Sequence, residues 1–450
     1  MIRFLLDGSV LKRLVLPVVL SGCVATAAGA QTNPQTLALE EAITFAVEND
    51  PWLSGSRHTQ NALNDEATAA ATLPDPIISL TGSNLPVNSF DLNEAPMTQL
   101  GLGVSQMFPR GDTLALAQRQ KQQLAQQHPL LRLDRQAKVT ATVTRLWLDA
   151  FRAQESIRLI ERDRALFEQL ADAARAGYST ALGRTRQQDM IRAQLELTRL
   201  ADRLTVLQQQ QDSAQKQLSE WIGASAMAPL TPGLPVQSVD RRWEVVSVEQ
   251  VNEQARYDAI ASHPTLLALD KQIDATRTSV DLALQKYKPE WALKAQYGYR
   301  DEDLAGRSRD DFVTFGVSFD LPLFTAKRQD KEVSAARSRV EANRTEKVLL
   351  ARRLMAELET ASVQLARLDE RRALYTDQLL PQMADQSEAS LIAYNNDDGD
   401  FAEAVRARIA ELNARIDALA IAVERQQTIA RINYLLTGAP SGDSAPAEPF

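Results

Sequence analysis

Asn49-Asp50-Pro51-Trp52-Leu53 is answered, 213 residues later, by Ser262-His263-Pro264-Thr265-Leu266. At the same offset Leu73-Pro74-Asp75-Pro76 returns as Lys286-Tyr287-Lys288-Pro289, and Phe108-Pro109 as Leu321-Pro322. Further on, Ile191-Arg192-Ala193 matches Val405-Arg406-Ala407 at an offset of 214, and Trp221-Ile222-Gly223 matches Leu436-Thr437-Gly438 at 215. Prolines that keep step over such a distance mark recurring backbone positions, so the chain holds two tandem copies of one unit. The first repeat spans residues 37–223 and the second 247–438. Residues 224–246, with Pro229, Pro232 and Pro235, read as a linker on the outside of the assembly, and the aperiodic tail 439–450 as disordered.

Each repeat begins with helix. Leu39, Ala42, Ile43 and Ala46 form an apolar stripe that stops at Asp50-Pro51, and a helix from Leu53 to about Thr72 ends at Leu73-Pro74-Asp75-Pro76. Alternation with period two follows. Ile78, Leu80 and Gly82 oppose Ile77, Ser79 and Thr81; Leu100, Leu102 and Val104 oppose Gly101, Gly103 and Ser105. In the second repeat Trp291, Leu293, Ala295 and Tyr297 oppose Ala292, Lys294, Gln296 and Gly298, and Val313, Phe315, Val317 and Phe319 oppose Thr314, Gly316, Ser318 and Asp320. One face is apolar and the other small or polar.

That alternation fits either a half-buried hairpin on a soluble core or a lipid-embedded barrel wall. Two features favour the barrel: the long helices offer no compact core to cover the strands, and Trp291, Tyr297 and Tyr299 lie at strand ends, where barrels carry aromatic girdles. About four strands cannot close a barrel alone, and open edges are not tolerated in hydrocarbon. Strands of several protomers must therefore close one barrel, and the helices of the same protomers one tube.

Helices of unusual length follow each strand pair. From Gly111 to about Tyr178 only Pro129 interrupts, and from Thr185 to Gly223 nothing does; the second repeat runs from Thr325 to Tyr394 and from about Asp400 to Gly438. A helix of roughly 65 residues spans about 100 Å, beyond any globular domain. Near-heptad spacing of Leu195, Leu197, Leu200, Leu204 and Leu207, and of Ile409, Leu412, Ile416 and Leu419, gives each a narrow packing stripe, while Gln208 to Gln211 and Arg371-Arg372 face solvent. The fold class is mainly α: duplicated helical hairpins forming a tunnel, plus four strands per protomer. A self-contained coiled-coil spacer is the plainer alternative, and the strand hairpins argue against it.

Composition limits the chemistry. The chain has 450 residues, 44% apolar and 6% aromatic, with a net charge of −8. Nucleic acid is an unfavourable partner for such a charge. Lys12-Arg13 ahead of Leu14 to Leu20, followed by small residues to Ala30, reads as an export signal over residues 1–30. Two cleavage sites are open: after Ala28-Gly29-Ala30, or before Cys23 in Leu20-Ser21-Gly22-Cys23, which would end the leader at residue 22 and make Cys23 a lipid anchor. Cys23 is the only cysteine, so no disulfide forms within a chain. His58, His128 and His263 are isolated, the seven methionines are scattered, and no HExxH or phosphate-binding glycine loop is present. No enzyme, resident metal or cofactor is expected.

Leu-x-x-Ala before Asn49-Asp50-Pro51, Leu-Pro-x-Pro before the first strand, Val104-Ser105-Gln106 leading to Phe108-Pro109, and Gly183-x5-Asp189-x3-Ala193 occur in one order. Together they resemble the TolC-family outer-membrane efflux proteins over nearly the whole chain. The wording of Pro74-Asp75-Pro76 and of Gln106 to Asp112 is most similar to the heavy-metal, CzcC-like branch. The resemblance implies a homotrimer in the outer membrane that extends into the periplasm. It also implies a periplasmic adaptor (membrane fusion protein) and an inner-membrane pump, of RND type for such a branch. The same fold also serves as the exit duct of type I protein secretion. It implies further that the hairpin tips, Tyr178 to Thr185 and Tyr394 to Phe401, dock the adaptor, so Gly183, Arg184, Thr185 and Gly399 are the docking candidates. The second tip departs from the pattern by two extra residues in Asn395-Asn396-Asp397-Asp398-Gly399-Asp400, which reads as a solvated turn rather than a calcium loop.

Asp189 and its counterpart Glu403 lie just inside the two tips. Repeated by threefold symmetry they would form acidic rings that select cations; alternatively each carboxylate stabilises a helix N-terminus, an effect of about 0.3–1 kcal/mol.

Overall fold

A computed structural model describes residues 36–179, 187–243, 253–396 and 400–438. The leader with Cys23 and the tail 439–450 lie outside the described residues.

Both repeats fold alike. The first runs α1 (Leu39–Glu48), α2 (Pro51–Ala70), β1 (Ile77–Ser83), β2 (Gln99–Phe108), α3 (Thr113–Ala125), α4 (Gln127–Ser179) and α5 (Gln187–Ile222). The second runs α6 (Glu253–Ala261), α7 (Pro264–Gln285), β3 (Trp291–Tyr299), β4 (Phe312–Phe319), α8 (Gln329–Leu374), α9 (Leu380–Asn395) and α10 (Phe401–Leu435). The repeated X-Pro steps are helix starts. Asp50 caps α2 by accepting from Trp52 N at 3.0 Å, His263 caps α7 by accepting from Thr265 N at 3.4 Å, and Pro51 and Pro264 occupy the first position. Proline costs nothing there, because that N–H has no partner within the helix.

The long helices are interrupted where proline dictates, and not at matching places in the two repeats. In the first, the break falls at Gln126, so that Pro129 lies in the first turn of α4. In the second, the unbroken helix expected from Thr325 to Tyr394 is interrupted by a π turn, Tyr375–Leu379, ahead of Pro381. A proline removes one N–H and crowds the carbonyl four residues back; one extra residue in the turn relieves both. At 53 residues α4 extends about 80 Å.

Three apolar clusters succeed one another along the helices. Trp147 and Phe151 of α4 stack at 5.3 Å among Leu39, Val143, Leu218 and Ile222, with Trp147 Nε1 donating to Leu37 O at 3.2 Å. A second cluster joins Ile160 and Phe167 of α4 to Leu200 and Leu204 of α5 and to Phe401, Val405, Leu412 and Ile416 of α10. A third joins Leu354, Leu358 and Leu365 of α8 to Ile260, Leu266, Ile429 and Ile432. The predicted stripe on α5 is narrower than its spacing implied, since Leu195 points outward. Residues 224–243 are no loose tether: Ala226 and Leu230 are buried in the first cluster, and Leu230 bridges Leu37.

The four strands form one antiparallel sheet in the order β1-β2-β3-β4. Its central ladder, β2 with β3, joins the hairpin of one repeat to that of the other, with Leu100 opposite Tyr299 and Phe108 opposite Trp291. β1 and β4 are left as open edges.

Candidate functional site: the channel wall and its two ends

Register turns the alternation of single strands into continuous rows. Leu80, Leu102, Tyr297 and Val313 lie side by side across the sheet, as do Ile78, Val104, Ala295 and Phe315. Nothing in the protomer covers this face: Leu80 and Phe315 are each 80% exposed, and Leu102, Leu293, Val313 and Val317 are exposed beside them. A hairpin resting on a soluble core would have buried these side chains. An apolar sheet face left bare over four strands is instead a surface for lipid.

The opposite face is close-packed and polar. Gly101 of β2 stands between Thr81 and Gly298, and a side chain there would run into Gln296 and Thr81. Gly103 is likewise overlain by Ser79, and Gly298 by Gln99. Because these glycines carry no Cβ, Gln296 lies flat across β2 and donates to Thr81 Oγ1 at 3.5 Å. The expected lining of Gly, Ser, Thr and Lys294 is therefore completed by the amides Gln99 and Gln296.

Where strands turn into helices, charges tie the repeats together. Arg110 Nη1 donates to Lys286 O at 3.0 Å, and its Nη2 pairs with Asp320. Lys288 meets Asp112 at 3.2 Å, and Lys286 meets Glu332 at 2.8 Å. Asp320 also accepts from Glu290 N at 2.7 Å; that backbone donor, with Arg110, holds its carboxyl below the usual range. The Lys286 ammonium does the same for Glu332.

At the far end, the docking candidates Gly183, Arg184, Thr185 and Gly399 lie outside the described residues. Asp189 is the third residue of α5, and its side chain is also outside the description. Glu403 is the third residue of α10, so the two acids hold equivalent places. Asp400 caps α10, accepting from Ala402 N at 3.2 Å, and Glu403 is exposed in the first turn, 3.9 Å from Arg406. A first-turn carboxylate meets the positive end of its helix.

Above this end is a buried ion network that the sequence did not disclose. Arg408 of α10 reaches Glu411 at 2.7 Å and Asp163 of α4 at 3.2 Å, and Arg415 pairs with the other oxygen of Glu411. Arg408, Glu411 and Arg415 have helical spacing, a visible signal. Asp163 is 245 residues away, and no local pattern connects it.

Two histidines expected to be isolated have partners. His128 Nδ1 lies 3.1 Å from Ser56 Oγ. His263 is fully buried, edge-on to Tyr434 at 5.4 Å. Asp134 accepts from Thr265 Oγ1 at 2.9 Å and Tyr434 Oη at 3.1 Å, closing the group. Burial lowers the His263 pKa, with Asp134 opposing, and burial together with Asp134 raises that of Tyr434. No three His, Cys, Asp or Glu side chains gather as a metal site among the described residues, and none of their helices is long and apolar enough to cross a membrane.

Residues 255–438 match the family model described as outer membrane efflux protein. The match covers the second repeat and is a likeness to that family over those residues. Proteins of that description are outer-membrane channels that extend into the periplasm and are not enzymes. No curated protein matches the chain in sequence. Solved structures do match in fold. CusC, reported for folding and transmembrane channel formation, superposes with a TM-score of 0.72 at 14% identity, covering 89% of this chain and 92% of that one. VceC of Vibrio cholerae gives 0.72 at 14%, covering 89% and 96%, and the open-state MtrE outer-membrane channel of Neisseria gonorrhoeae gives 0.70 at 16%, covering 89% of each. Both repeats thus share the fold of these channels, although the family model matches only the second.

Proposed function

We propose that three copies of the chain form the outer-membrane exit duct of a tripartite efflux system. One observation carries the reading: a four-stranded sheet, apolar and bare on one face, polar on the other and unpaired at both edges, joined to helices of about 80 Å. Three such sheets, joined β4 to β1, would close a barrel of twelve strands with the glycine-amide face inward. The helices would continue the duct through the periplasm. The pump and adaptor would supply energy and cargo, and the hairpin tips would receive the adaptor. Heavy-metal cations are the substrate class suggested by Pro74-Asp75-Pro76 and the Gln106 to Asp112 wording.

Planar-bilayer recordings test the duct. The purified chain should conduct as a trimer, and replacing Asp189 and Glu403 together by Asn and Gln should weaken cation preference and raise the open conductance. A monodisperse monomer with no conductance would end the proposal; unchanged selectivity would remove only the two acids from the gate. Deleting the gene should sensitise cells to metal cations rather than to a panel of organic drugs if the metal reading holds.

A further inference from the structure

The two strand-to-helix junctions that should be equivalent are not. After β2, Phe108, Pro109 and Arg110 are half-buried, and Arg110 is neutralised by Asp320. After β4 the chain reads Leu321-Pro322-Leu323-Phe324-Thr325-Ala326-Lys327-Arg328, and here Leu321, Leu323 and Phe324 are bare, Phe324 at 92%. Leu321 continues the row of Val313, Phe315, Val317 and Phe319, the apolar outer face. The segment has a fixed shape: Leu323 N donates to Leu321 O at 2.9 Å, and Arg328 N and Asp330 N both donate to Thr325 O at 3.1 Å.

The cations at its end are equally distinctive. Nearby acids are engaged elsewhere: Asp320 with Arg110, Asp330 with the Tyr287 hydroxyl at 2.6 Å, and Glu332 with Lys286. Lys327 and Arg328 are exposed and have no ion pair among the described residues. An apolar projection continuous with a lipid-facing wall, followed by two exposed cations on the helical side, of which Arg328 also bears on the Glu332 carboxylate without a close ion pair, has the composition of a membrane-interface anchor.

We propose that Leu321–Arg328 is a lipid-binding wedge, with Leu321, Leu323 and Phe324 entering the leaflet on the helical side of the barrel and Lys327 and Arg328 holding the phosphates of anionic phospholipids. The inference rests on the outer-membrane channel reading and adds a lipid partner to it. Charge complementarity selects an anionic headgroup; the pair of cations would favour it by roughly twenty-five-fold, from ~five-fold for each basic side chain beside an anionic surface. The competing occupant is a second copy, whose Asp75 precedes the edge strand β1.

The test uses the full chain carrying Phe324→Trp, reconstituted in phosphatidylcholine vesicles containing brominated phosphatidylglycerol or brominated phosphatidylcholine. The added tryptophan should be quenched by both, several-fold more strongly by the anionic lipid, and Lys327→Gln with Arg328→Gln should abolish the difference. Quenching no greater than in the unsubstituted chain would overturn the proposal, as would an anionic preference that survives the double substitution. Equal loss of trimer stability from Asp75→Asn and from the double substitution, in neutral lipid alone, would assign the cations to a neighbouring copy and overturn it too. Conductance of the unsubstituted chain reports on the channel reading separately.

Discussion

α5 and α10 close their repeats with the same backbone in opposite surroundings. α10 packs on α4, α8 and α9 and buries Phe401, Val405, Leu412, Ile416, Ile429 and Ile432. α5 packs chiefly on α4 and turns Ile191, Leu195 and Val206 outward. The sequences follow suit: at the repeat offset, Arg408, Glu411 and Arg415 stand where α5 has Gln194, Leu197 and Ala201. Duplication copied a path through space, and each copy then fitted its side chains to different neighbours. Only the enclosed helix, with α4 to complete the circuit, could host buried charge.

The largest effect should come from breaking that circuit. Arg408→Ala leaves the buried Asp163 with only Arg162 at 3.8 Å, while Glu411 keeps Arg415, and should lower unfolding stability by about 3 kcal/mol, whereas Gln194→Ala on α5 should change it by less than ~0.5 kcal/mol. Urea unfolding in detergent, followed by circular dichroism, would show whether the helices differ as described.

The two faces of the sheet allow a second contrast. Phe315→Arg should cost about 2–4 kcal/mol of stability in lipid vesicles, and Thr314→Arg, one residue along and on the polar face, far less. Equal penalties would mean that the faces are assigned the wrong way round.

The helix start at His263 is sensitive to acid. Burial lowers the His263 pKa, so below the ordinary value of 6.5 the unfolded chain binds a proton that the folded chain refuses. The associated stability is complete above pH 6.5 and falls away as the pH drops from there toward the lowered folded value. His263→Asn keeps a capping side chain, should cost at most about 1 kcal/mol at pH 8, and should flatten the change in melting temperature between pH 7 and 5. Asp134, Tyr434 and Arg242 face the ring.

Glu403→Gln should be the mildest change. The carboxylate is exposed and 3.9 Å from Arg406, so stability should shift by less than ~0.5 kcal/mol in thermal melts.

Much of the fold was legible because recurring prolines mark helix starts and strand ends, and because period-two alternation fixes which side chains share a face. The paired position of Asp189 and Glu403 was legible for the same reason. The π turn was not, since Pro381 lies in an otherwise uninterrupted helical pattern and the backbone absorbs it without a turn signal. Nor were the Asp163–Arg408 contact and the His263–Tyr434–Asp134 group, whose members meet only through packing. Burial of Leu230 escaped because prolines on either side resemble those of an exposed connector.

The central ladder of the sheet joins residues roughly two hundred positions apart, Leu100 with Tyr299 among them. Such a pairing cannot form until the second hairpin has emerged behind the first, and closing so long a loop is slow. Until then the first hairpin remains a lone ribbon with its greasy side in water. Folding of this sheet therefore includes an interval of enforced waiting, with the apolar side of Ile77–Phe108 uncovered.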